Sequence, residues 1–274
     1  MPMKEFEDKD LTYEEYWGFQ RRPFENVPDP HFYVASRKHE AGRQRLLYGI
    51  HARKGAVMLT GEIGCGKTLL SRALIVNLSH TRFDVALVAN PSLPAVEFLA
   101  EILYQFGIEA TSSKAQLLHR LNDRLLDNYH RGLDTVLVVD EAQAILDDTI
   151  FEDLRLLINF QLNNRFLLTL VLLGQPELNA RIARIPQLDQ RVAIRYHLQA
   201  FDAEETRQYI SARMAAAGSL REIFTKNGTA LIYERTGGVC RLINSLCDLC
   251  LLLGSLEQLC EIDTRLVEHA CCVS

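Results

Sequence analysis

The chain has 274 residues, of which 48% are hydrophobic, enough to bury a large core as one big domain or a big domain with a small satellite. Its formal net charge of -5 mixes both signs and contains no long basic run, which argues against a dedicated nucleic-acid binder. The opening MPMKEFEDKDLTYEE lacks the apolar centre of a secretory leader, and no apolar window reaches the roughly 20 residues of a membrane span, so export and membrane insertion are not expected.

An N-terminal segment and helix, residues 1–50, leads into the first apolar run. Five such runs follow: AVMLT (56–60), DVALVAN (84–90), TVLVVD (135–140), LLTLVLLG (167–174) and VAIRYHL (192–198). They are apolar on both faces, and helical patterns at 66–79, 94–106, 113–130, 150–163 and 176–184 separate them. That alternation predicts an α/β fold, a doubly wound five-stranded parallel sheet over residues 51–199. After residue 200 the strand signal stops, and DAEETRQYISARMAAAG opens a run of capped amphipathic helices, a small all-helical lid domain at 200–274.

Between the first strand and its helix stands TGEIGCGKT, residues 60–68, which fits G-x-x-x-x-G-K-[ST] in the strand–loop–helix context the motif needs. Backbone amides of Gly61, Glu62, Ile63, Gly64, Cys65 and Gly66 would cradle phosphates, helped by the helix N-terminus at Lys67, Thr68 and Leu69. Lys67 would reach the β- and γ-phosphates, and Thr68 would offer its hydroxyl to Mg²⁺. The bland alternative is a plain glycine turn, and Cys65 is either a tolerated small residue or a site sensitive to alkylation.

The strand TVLVVD ends in adjacent acids: Asp140 would hold the Mg²⁺ shell and Glu141 would polarise the attacking water, unless both merely cap a strand end. Gln175, ending the next strand, could touch the γ-phosphate or lytic water, or only shape the loop before Pro176. In IPQLDQRVAIRYHL, Arg191 could serve a neighbouring copy's nucleotide in trans, or pair with Asp189 or Glu177; the pairing reading is stronger for Arg195. Arg241, after Gly237–Gly238, is either a lid arginine that reads the γ-phosphate or a solvated one. The cysteines are scattered in a pattern of reduced, cytosolic usage. Cys240, Cys247, Cys250 and Cys260 with His269 raise zinc, but lie on a leucine-rich face that suits core packing.

These blocks resemble a family. GFQRRPFENVPDPHFYVASRKHEAGRQRLLYGIHARKGAVMLTGEIGCGKT, LLGQPEL, LDQRV and GGVCRLINSLCD, in that order, are similar to the AAA+ ATPases of the ExeA/GspA general-secretion type, over roughly residues 16 to 270. The resemblance implies ATP with Mg²⁺, Walker A at Gly61 to Thr68, Walker B at Asp140 and Glu141, and Gln175 as first sensor. It implies Arg191 as arginine finger, Arg241 as second sensor and a sheet in the order 5-1-4-3-2. It further implies a homo-oligomeric, Mg-dependent ATPase acting as a mechanochemical switch on a secretion or export complex, cytoplasmic or peripheral to the inner membrane. Longer family members continue into a membrane span and a peptidoglycan-binding region. The same core is similar to ATP-switched transposition regulators that bind DNA, for which the basic residues would be Arg43, Arg45, Arg53 and Lys54, or Arg181 and Arg184.

Overall fold

The computed structural model describes residues 12–111, 113–162, 165–219 and 221–273. They form two compact units: a helical one from the described residues of Met1–Ser36, Gly64–Gly66 and Gln199–Ser274, and an α/β one from Arg37–Ile63 and Lys67–Leu198. In chain order, α1 (Glu14–Trp17) belongs to the helical unit and α2 (Arg37–His51) opens the α/β unit.

In the α/β unit, β1 (Ala56–Gly61), α3 (Lys67–Val76), β2 (Phe83–Val88), α4 (Ala95–Gln105), α5 (Lys114–His130) and β3 (Asp134–Val139) are followed by α6 (Asp148–Ile158). Next come β4 (Gln161–Leu162), β5 (Arg165–Phe166), β6 (Leu168–Gly174), α7 (Glu177–Ala183), α8 (Pro186–Asp189) and β7 (Val192–Leu198). The sheet runs β2-β3-β6-β1-β7, every pair parallel, which is the expected 5-1-4-3-2 order of the five long strands. β1, β3 and β6 are buried along their whole length because helices cover both faces, whereas the edge strand β7 alternates exposed with half-buried positions between buried ends.

The helix expected over 150–163 is shorter. α6 starts where the Asp147 side chain accepts the Thr149 N–H (2.9 Å) and ends at Ile158, and β4 then pairs antiparallel with β5. Asn163–Asn164, between β4 and β5 in the chain, lies outside the described residues. The four-residue helix α8, with Pro186 in its first turn, was also missed.

In the helical unit, α9 (Ala203–Ala216), α10 (Lys226–Thr236), α11 (Cys240–Leu256) and α12 (Thr264–Val273) form the run of helices expected after residue 200. α9 begins in a full capping box: Asp202 accepts the Glu205 N–H at 2.8 Å and Glu205 accepts the Asp202 N–H at 3.1 Å. The aromatic residues of the N-terminal segment, Tyr13, Trp17, Phe19, Phe24 and Phe32, share one core with Ile210, Met214, Ile243 and Leu251. Arg213, only 2% exposed, fastens that segment: it donates to the carbonyls of Pro23 (2.5 Å) and Glu25 (2.9 Å) and to the Tyr209 hydroxyl (2.9 Å). Cys240, Cys247 and Cys250 pack into the same core, where burial raises their thiols above the ordinary range, Cys250 to about 12. Among the described residues no helix is long and apolar enough to cross a membrane.

Candidate nucleotide site

β1 delivers Gly61 at its C-terminal end, and α3 starts six residues later at Lys67. Between them the backbone turns through left-handed conformations at Gly64 (φ 80°) and Gly66 (φ 92°), which residues with a Cβ rarely adopt. Lys67 is 5% exposed, and its ammonium donates to the carbonyls of Gly61 (2.7 Å) and Glu62 (3.0 Å). The loop is therefore coiled around this one cation. Gly64–Gly66 cluster with the helical unit, in which Arg241, second residue of α11, donates its backbone N–H to the Gly64 carbonyl at 3.1 Å. A Cβ on Gly64 would come within 2.8 Å of the Arg241 Cβ.

Directly after β3, Asp140 is 3% exposed and extends the β2 pairing by donating its N–H to the Val88 carbonyl at 2.9 Å. Its carboxylate accepts the Glu141 N–H (2.9 Å) and the Thr68 hydroxyl. Burial nevertheless pushes the Asp140 carboxyl above the ordinary carboxylate range, outweighing those two hydrogen bonds and the nearby Lys67 charge. A buried carboxylate beside a hydroxyl is a pair of hard oxygen donors, and a cation between them would relieve the desolvation, so Asp140 and Thr68 fit magnesium.

Glu141 adopts the left-handed conformation (φ 48°, ψ 38°), uncommon for a residue with a side chain and concentrated at functional positions. Its carboxylate accepts a 2.5 Å hydrogen bond from Nε2 of Gln143, a residue not singled out in the sequence. The other end of that amide, Oε1, accepts the backbone N–H of Gln175 at 2.9 Å. Gln175 arrives there because β6 lies between β1 and β3, with Gly174 opposite Thr60 and Leu172 opposite Val139. Nothing in the sequence marked Gln143, a polar residue in a short 3-10 turn, because its importance lies in bridging two strand ends.

Arg191 sits at the other end of the sheet. Val192 pairs with Ala56, whereas Leu198 pairs with Gly61, so about 17 Å of strand separates Arg191 from the phosphate loop of its own chain. Among the described residues it makes no salt bridge, and its guanidinium lies 5.4 Å from the centre of the Phe166 ring. Arg195 is ion-paired to Asp189 at 2.6 Å. The basic residues considered for DNA are largely engaged: Arg43 with Glu40 (2.7 Å), Arg53 with Asp134 (2.6 Å) and Arg181 with Asp148 (2.6 Å), while Arg45 lies over the Tyr196 ring.

Known proteins are similar to this chain in sequence and in fold. Residues 50–182 match the AAA domain family. The chain is 36% identical over 244 residues to general secretion pathway protein A of Aeromonas hydrophila, covering 88% of this chain and 44% of that protein, so it spans less than half the relative's length. Solved structures with the same fold include the Aeropyrum pernix ORC2 protein in ADPNP–ADP complexes (TM-score 0.69, 18% identity, covering 92% of this chain and 71% of that one). The Drosophila ORC bound to DNA aligns with a TM-score of 0.70 at 17% identity over 98% of this chain and 68% of that one. The Thermotoga maritima RuvB Holliday junction branch migration motor aligns with a TM-score of 0.59 at 21% identity over 85% of this chain and 68% of that one. Phosphate loop, paired acids and 5-1-4-3-2 sheet together with these likenesses place the chain among the AAA+ P-loop proteins, in the group that resembles general secretion pathway protein A.

Proposed function

We propose that the chain binds ATP with Mg²⁺ at Gly61–Thr68, hydrolyses it, and uses the cycle to do conformational work on a protein assembly of the secretion or envelope-export kind. The observation that carries this reading is the nearness of Thr68, at the end of the loop, to the buried Asp140, which follows a different strand of the same parallel sheet. It joins the two halves of a metal–phosphate site. Lys67 transfers its ammonium from two loop carbonyls to the phosphates, and the amides of the loop and the α3 N-terminus bind the remaining charge. Asp140 and Thr68 would hold the magnesium, which would supply positive charge to the bound phosphates. Glu141 accepts the proton of the attacking water, and Gln175 orients that water from β6. Arg191, too far along the sheet to serve its own nucleotide, acts on that of a neighbouring copy, so the active form is a homo-oligomer. Arg241, tied to Gly64, is the residue of the helical unit through which a change in the loop registers.

The secretion reading draws on the likeness to general secretion pathway protein A, and the internal pairing of the candidate DNA-contacting arginines supports it over a DNA-loading role. The test pairs calorimetry of Mg–ATP binding with turnover for wild type, Lys67→Ala and Glu141→Gln, and adds light scattering of Glu141→Gln with ATP, with and without duplex DNA. Lys67→Ala should give no binding heat. Glu141→Gln should bind but turn over at least about 100-fold more slowly, and assemble whether or not DNA is present. Absence of binding heat from the folded wild type overturns the nucleotide reading, and assembly only with DNA overturns the secretion reading.

A further inference from the structure

Gln143 is the middle residue of the short 3-10 turn Ala142–Ala144 that follows Glu141. Its side-chain amide has both ends committed: Nε2 donates to Glu141 Oε2 at 2.5 Å, and Oε1 accepts the Gln175 N–H at 2.9 Å. One end faces a carboxylate and the other an N–H donor, so the amide has only one orientation that satisfies both. Its backbone is fixed as well, with the Gln143 carbonyl accepting Arg181 Nη1 at 2.9 Å while the same guanidinium reaches the Ile145 carbonyl (2.6 Å) and Asp148 (2.6 Å). At Gly174, the residue before Gln175, a Cβ would lie 2.8 Å from Gln143 Oε1, so the end of β6 is bare where the amide crosses it. One side chain thus links the carboxylate after β3 to the first residue after β6, within the α/β unit.

We propose that Gln143 is a positioning residue that couples Gln175 to Glu141, setting the direction in which the Glu141 carboxylate points and relaying to it any displacement of the β6 end. This rests on the reading of Glu141 as the water-activating carboxylate. A bridge held by two hydrogen bonds transmits a shift of a few tenths of an ångström, because breaking either bond leaves a partly buried amide group unpaired. The angle and distance at which a base meets its water control proton transfer, so loss of the bridge slows chemistry while leaving ATP binding to the loop, Lys67 and Asp140.

The experiment is a double-mutant cycle on the full chain, read by single-turnover ATP cleavage and by calorimetric ATP binding: wild type, Gln143→Ala, Glu141→Gln and the double variant. A further variant, Gln143→Glu, keeps an acceptor for the Gln175 N–H but loses the donor toward Glu141. The expected result is a cleavage rate at least about tenfold lower for Gln143→Ala and Gln143→Glu with ATP affinity within about twofold of wild type. In the Glu141→Gln background, Gln143→Ala should cost nothing further, because the residue acts through Glu141. Wild-type cleavage by Gln143→Ala, or an equal cost of Gln143→Ala in both backgrounds, overturns the inference. If Gln143→Ala fails to fold, the Gln143→Glu rate decides alone, and a wild-type rate there overturns it. A wild-type rate for Glu141→Gln is a different failure, since it removes the base assignment itself.

Discussion

Replacing Asp140 with Asn separates what this carboxylate does for binding from what it costs the fold. The side chain is 3% exposed, accepts the Glu141 N–H and the Thr68 hydroxyl, and has no salt-bridge partner among the described residues. Exchanging two charge-assisted hydrogen bonds for neutral ones costs about 2 kcal/mol, at about 1 kcal/mol each. Burying a carboxylate that lacks a partner costs several kcal/mol, and desolvation is the dominant influence on this group. Asn should therefore stabilise the magnesium-free, nucleotide-free protein by about 1–2 kcal/mol, raising Tm by about 2–8 °C.

The sign with pH follows from the raised carboxyl. The folded wild type keeps its proton to higher pH than the unfolded chain, so it loses stability as pH rises from about 4, the ordinary carboxyl value, toward the raised one. Asn does not titrate. The gap in Tm should be smallest near pH 4 and open by pH 8, measured by thermal melts in EDTA across that range. With Mg–ATP at about 100 times its Kd, wild type should gain about 2.7 kcal/mol that the variant lacks, reversing the order. An Asn variant that melts below wild type in EDTA at pH 8, or a gap indifferent to pH, would refute the argument.

Arg191→Ala should lower turnover about 1,000-fold without changing ATP affinity, and mixing it with Glu141→Gln copies, which carry an intact Arg191, should restore activity, as read by titrating one against the other in an ATPase assay. Gly238→Ala should destabilise the helical unit by about 3 kcal/mol or more, because φ is 76° and the new Cβ would lie 2.0 Å from the Phe201 carbonyl oxygen; a denaturant midpoint checks it. Arg213→Met should strand the Pro23 and Glu25 carbonyls, so limited proteolysis between residues 12 and 36 should quicken about tenfold or more.

The alternation of apolar runs with helical periods was enough to read the parallel sheet, because strands buried on both faces admit few polar residues, and the ends of the five long strands were legible to within two residues. The phosphate-loop motif was legible for a similar reason: its residues, Gly61 to Thr68, are consecutive in the chain. Thr68 meeting Asp140 was only implied, since two motifs more than seventy residues apart become one site when β3 and β1 end on the same edge of the sheet. Tertiary structure alone decided that Arg191 lies at the far end of the sheet from its own loop, and that α6 gives way to a hairpin after Ile158. It alone decided that Trp17 and Phe24 pack with α9 and α11 and that Gln143 spans Glu141 and Gln175. Local periodicity and contiguous motifs are properties of the chain itself, whereas a bridge between strand ends exists only once strand order has brought them side by side.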